Sequence, residues 1–184
     1  MDDAPFVTME RIGEWATQVP LSSLKQRHLD WLLANDVLPM DIIRPEQVMI
    51  AKGNRADDGF LDHYSEAPEW FALPESTDVV YWRPRSQEIA WEFGRAFCLG
   101  QDVLENPATT ALDQHLLVFA DPLQWLQYGR RGIVVLHWDW AFEFLRDVQV
   151  VAVDERVLHL YRQHMKPGHL PELSVIRSSM KEAA

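Results

Sequence analysis

The chain has 184 residues, 47% of them apolar, a single cysteine and a formal net charge of −11. That apolar share is enough for a packed core and argues against wholesale disorder. The charge disfavours direct contact with a phosphate backbone, and a lone cysteine excludes a disulfide framework or a cysteine-rich zinc site.

The length suits one domain over residues 1–184, with an acidic helical and loop part (1–75) and a sheet-forming part (76–184). Residues 1–75 hold 14 acids against 6 bases, and residues 76–184 hold 14 against 11. No apolar run approaches the roughly 18–20 residues that span a bilayer. The start, Met1-Asp2-Asp3-Ala4-Pro5, has no basic, apolar leader pattern. The expectation is a cytoplasmic protein of a reducing compartment, with Cys98 as a buried strand thiol.

Residues 7–19 and 22–35 read as two helices split by Pro20, an α-helical hairpin with Thr8 and Ser22 or Ser23 as N-caps. In the second helix Leu24, His28, Trp31 and Leu32 share a face, which puts His28 at the boundary of the core. Residues 48–51 suit a short strand. Residues 57–75 carry six acids and no Lys or Arg, interleaved with Phe60, Tyr64, Trp70 and Phe71. This segment reads as a surface loop that could dock a basic, partly apolar partner. Asp57, Asp58, Asp62, Tyr64, Glu66, Glu69 and Trp70 are its candidate contacts. The competing reading has the aromatics pinning the loop to the core.

Residues 77–100 predict an antiparallel meander. Residues 78–82 form one strand, Arg83-Pro84-Arg85-Ser86 a turn, residues 88–92 an alternating second strand, and residues 96–99 a third. From residue 115 onward, apolar runs at 116–120, 132–136, 148–153 and 173–176 alternate with amphipathic stretches. That pattern predicts a mainly parallel βαβαβαβ half, so the whole chain is expected to be α/β (α+β).

Ligands of open α/β sheets bind beyond the C-terminal strand ends. The residues there are Asp121, His137, Asp139, Asp154 and Glu155. Asp121, Asp139 and Asp154 could hold Mg²⁺, with His137 and Asp139 as catalytic groups. The same three acids also suit helix N-caps, most clearly in Asp121-Pro122-Leu123-Gln124. No cofactor is needed if capping is their whole role. His137-Trp138-Asp139-Trp140 is the most unusual tetrapeptide, a histidine and an acid set between two indoles.

Two resemblances follow. The strand ending in Asp121, the helix 122–126, Gly129 and the strand 132–136 resemble the opening of a Toprim domain, which would imply Mg²⁺-dependent chemistry on a phosphate-bearing substrate. The chain departs from that pattern in having Asp121 where a Toprim has glutamate, and Asp154-Glu155 in place of paired aspartates. The strings Trp82-Arg83-Pro84, 94–100 and 119–126 resemble uncharacterised bacterial accessory proteins carried on plasmids and integrated elements. That resemblance implies a cytoplasmic accessory role and no site residues.

The leading expectation is a non-catalytic acidic protein that binds a basic protein partner, as an inhibitor or modulator of a nucleic-acid-binding machine would. The alternative is the metal-dependent enzyme.

Overall fold

The computed structural model describes residues 18–110 and 115–166. The chain is a mixed α+β protein with two sheets. The first is a curled antiparallel sheet of five strands in the order β2-β1-β3-β4-β5: β1 Met49–Arg55, β2 Leu61–His63, β3 Glu69–Pro74, β4 Val79–Arg83 and β5 Glu88–Trp91. The second has the order β6-β8-β7-β9: β6 Cys98–Leu99, β7 Leu116–Phe119, β8 Ile133–Val135 and β9 Val151–Val153. There β7 runs parallel to both β8 and β9, while β6 is antiparallel to β8. Short helices fill the connections: α1 Gln26–Ala34, α2 Pro39–Ile43, α3 Gln101–Glu105, α4 Pro122–Gln127, α5 Ala141–Leu145 and α6 Leu158–His164. No helix among the described residues is long and apolar enough to cross a membrane.

Side-chain alternation along β3 and β4 explains the core. Phe71, Leu73, Val80 and Trp82 point to one face, and Trp70, Ala72, Val79 and Tyr81 to the other. The first set joins Leu32 of α1, Leu99, Phe119, Val134, and Trp125 and Leu126 of α4 in the core shared by the two sheets. The second set packs with Val19, Met49, Ala51, Leu61 and Ala90. The far face of the second sheet, with Cys98, Leu116, Val118, Ile133 and Val135, is covered by Ala141, Leu145 and the apolar side of α6. Each large side chain so enclosed contributes about 1.5–3 kcal/mol. Cys98 is buried as expected, and burial pushes its thiol well above the ordinary range.

Several expectations change. The first helix of the predicted hairpin and the strand 173–176 lie outside the described residues, apart from the end of that helix. The second helix starts at Gln26, not after Ser22. Ser22 instead exchanges two backbone hydrogen bonds of 2.8 Å with Ile50. Residues 77–91 do form the expected hairpin of β4 and β5, but Cys98 and Leu99 leave that sheet and pair with β8.

The largest correction concerns residues 57–75. They are not a surface loop: they contain edge strand β2 and β3, a strand buried on both faces. An inner strand has no solvated side to impose alternation. The acids that precede it in the sequence therefore masked it.

Candidate interaction face

Trp91 ends β5 and lies where the curl of the first sheet brings its two ends together. The turn after β1 closes on it: the Trp91 N–H donates to the Gly59 carbonyl at 3.2 Å, and Phe60 forms an isolated bridge with Trp91. Gly59 has φ of +92°, and a β-carbon there would come within 2.4 Å of the Trp91 ring. Only glycine combines that conformation with so close an approach. Phe60 then stands edge-on to Trp91, with ring centroids 6.4 Å apart.

His137 arrives from the other sheet. It follows β8, where the Leu136 and His137 N–H groups both reach the Phe97 carbonyl. A 3-10 turn, Trp138–Trp140, comes next. The imidazole lies 4.8 Å from Trp91 and is stacked on Trp140 at 4.5 Å. Its Nε2 is enclosed without a hydrogen-bond partner. Burial lowers its pKa below the ordinary value, against the pull of Asp78 and Asp139, so the ring is neutral in neutral solution. Phe60, Trp91, His137 and Trp140 form one aromatic row, with Phe60 36% and Trp140 40% exposed.

The segment that joins the two sheets is held by a residue that the sequence reading passed over. Asp78 is 1% exposed. Its Oδ1 accepts from the N–H groups of Val79 at 2.8 Å and Phe93 at 2.9 Å, and its Oδ2 from those of Arg95 at 2.7 Å and Ala96 at 3.3 Å. Four N–H groups on one carboxylate fix the path from Trp91 to Phe97, and so the distance between Trp91 and His137. The only sequence signal was an acid placed directly before an apolar strand. A tight bend around Gly94, which has φ of +64°, completes the connection.

Of the acidic candidates, Asp57, Asp58, Asp62, Tyr64 and Glu66 are exposed. Asp58 accepts from the Phe60 N–H at 3.3 Å, which ties the acids to the aromatic row. None of these four carboxylates takes part in an ion pair among the described residues. Trp70 is a different case. It is 1% exposed, its Nε1 donates to the Gly53 carbonyl at 2.9 Å, and it offers no surface to a partner. Glu69 is occupied as well, by Lys25 at 3.2 Å, His28 at 2.9 Å and Arg27. The Lys25 N–H donates to His28 Nδ1 at 3.1 Å, and His28 Nε2 faces Glu69. Burial would raise the Glu69 carboxyl, but donors from Arg27, His28 and Lys25 outweigh it and hold it down at about 2.

The three strand-end acids do not meet at one point. Asp121 caps α4 by accepting from the Gln124 N–H at 2.9 Å, and Asp154 caps the following 3-10 turn by accepting from the Arg156 N–H at 2.8 Å. Each cap is worth about 1 kcal/mol. Both carboxylates then converge on the Arg156 guanidinium, at 2.6 Å from Asp121 and 3.1 Å from Asp154. Hydrogen bonds from Arg156 outweigh partial burial and hold the Asp154 carboxyl at about 2. Asp139, expected as a third cap, caps nothing. It lies within its turn, its side chain is exposed, and it faces His164 Nδ1 at 3.3 Å. Glu155 sits exposed in the first turn after Asp154. Among the described residues no three His, Cys, Asp or Glu side chains gather as a metal ion would need.

Comparison of the chain with protein-family models, with curated proteins and with solved structures finds no match in any of the three. The face combines a partly exposed aromatic row with carboxylates, Asp57 and Asp58, that take part in no ion pair among the described residues. That combination suits a cationic partner, through cation–π contacts and long-range attraction.

Proposed function

We propose that the chain is a non-catalytic accessory protein that docks a lysine- or arginine-rich protein segment on the face formed by Asp57, Asp58, Phe60, Trp91, His137, Asp139 and Trp140. One observation carries the reading: the aromatic row from Phe60 to Trp140 stands beside Asp58, which, like Asp57, takes part in no ion pair among the described residues. Asp62 on the edge strand and Glu66 in the turn that follows extend the acidic field, with Tyr64 exposed between them. A cytoplasmic, mobile-element-encoded modulator of a nucleic-acid-binding protein fits this role, because such targets are basic where acids would dock. The metal-dependent alternative is less favoured, since Asp121 and Asp154 already hold Arg156 and cap their turns.

The test uses lysine/arginine-rich peptides and their acidic counterparts, with binding followed by tryptophan fluorescence over a salt series. The basic peptides should bind and the acidic ones should not, with affinity falling as salt rises. Neutralising Asp57, Asp58, Asp62 and Glu66 together, or Trp140→Ala alone, should weaken binding about tenfold or more. Unchanged binding in both variants overturns the proposal.

A further inference from the structure

A second site lies away from this face. A cavity of about 360 Å³ is lined by Glu46, Glu75, Ser76, Asp102, Trp125 and Arg130, among others. Arg130 is only 6% exposed and takes a left-handed backbone conformation, φ +57°. Its Nε donates to the Asp41 carbonyl at 2.9 Å and its guanidinium lies 5.3 Å over the Trp125 ring, yet its Nη2 is enclosed with no acceptor. A buried donor without a partner costs free energy that an incoming acceptor would recover.

Glu75 supplies the complementary group. Its Oε1 accepts from the Gly100 N–H at 2.8 Å and its Oε2 from the Gln101 N–H at 3.3 Å, so the carboxyl is held in place. Gly100 permits that approach: with φ of +79°, any β-carbon there would lie 2.3 Å from the Gly132 carbonyl oxygen. Burial, aided by Asp102 and opposed by the two N–H groups and Arg130, pushes the Glu75 carboxyl up to about 7. With Glu46 and Asp102, the lining carries three acids against one guanidinium.

We infer that this cavity binds a small zwitterion, a free α-amino acid, with its carboxylate on the Arg130 guanidinium and its ammonium on Glu75. A simple carboxylic acid would satisfy Arg130 but meet three acids. A simple amine would pair with Glu75 but leave the guanidinium unpartnered. The size is in keeping, since small-ligand sites begin at about 300 Å³.

The experiment is a thermal-shift and calorimetry screen of the full chain against the twenty amino acids, their des-amino acids and their decarboxylated amines. At least one amino acid should raise Tm by about 3 °C at saturating concentration, with neither of its halves doing so. Ser76→Trp, at the exposed rim, should abolish the shift while both charged groups stay in place. Arg130→Gln and Glu75→Gln should each weaken binding about tenfold or more. Response to no amino acid, equal response to either half, or a shift that survives Ser76→Trp would each overturn the assignment.

Discussion

The imidazole of His137 stands 4.8 Å from the indole of Trp91, and this contact joins the end of the antiparallel sheet to the end of a parallel strand. Neither residue touches the other by virtue of its own element. Their spacing is set by the Phe93–Ala96 bend that Asp78 ties down.

Asp78→Ala should therefore be among the most damaging single substitutions. It strands several enclosed N–H groups at once, each costing about 1–3 kcal/mol when unpaired. A total loss of about 3–5 kcal/mol is expected in chemical denaturation, together with altered tryptophan fluorescence as Trp91 and His137 separate. A loss below about 1 kcal/mol would mean that the bend holds itself.

Gly59→Ala should cost about 1–3 kcal/mol, because the new methyl group meets the Trp91 ring in a backbone conformation that disfavours it. The measurable companion is increased amide exchange in the turn after β1. Exchange and stability equal to those of the unsubstituted chain would refute the close packing.

The pH dependence of stability has two limbs with opposite signs. Glu75 has a folded pKa of about 7 against an ordinary 4.5, so the folded state binds the proton more tightly. Stability should fall as pH rises from about 4.5 to 7, by about 2–3 kcal/mol in all. Glu75→Gln should flatten that limb and leave the variant the more stable protein at pH 8. A steeper limb in the variant would show that the charged carboxyl is favoured.

Glu69 acts in the other direction. Its folded pKa is held at about 2, so its contribution is present above 4.5 and is lost as pH falls through 2. Solvent reaches this cluster, so the net effect is about 1 kcal/mol. Glu69→Gln should lower Tm at neutral pH and shrink the difference from the unsubstituted chain at pH 2. An undiminished gap at pH 2 would assign the loss to packing.

Arg156→Ala removes the partner shared by Asp121 and Asp154. The Arg156 side chain is largely exposed, so a cost of about 0.5–1 kcal/mol is expected. The caps on the Gln124 and Arg156 N–H groups should survive, because they need only the carboxylates. Circular dichroism that shows loss of helix would contradict this separation of roles.

Local chemistry made part of the molecule legible in the sequence. Hydrophobic period placed α1, the β4–β5 hairpin and the apolar runs that became β7, β8 and β9. The Asp-Pro-x-Gln order announced the cap on α4. These features depend on neighbours within a few residues, which a sequence records directly. The rest depended on what each segment packs against. Trp70 looked like a docking residue because its neighbours are acids, but β3 is inserted between β1 and β4 and both its faces are buried. The acidic turn and the His137–Trp140 segment looked like separate leads until the curl of the first sheet brought Phe60 and Trp91 to His137. Asp78, Glu75 and Arg130 were unremarkable letters in the chain. Only the fold decided that one carboxylate would collect four N–H groups, and that another would share a cavity with an enclosed guanidinium, because desolvation is a property of the packed molecule rather than of the residue.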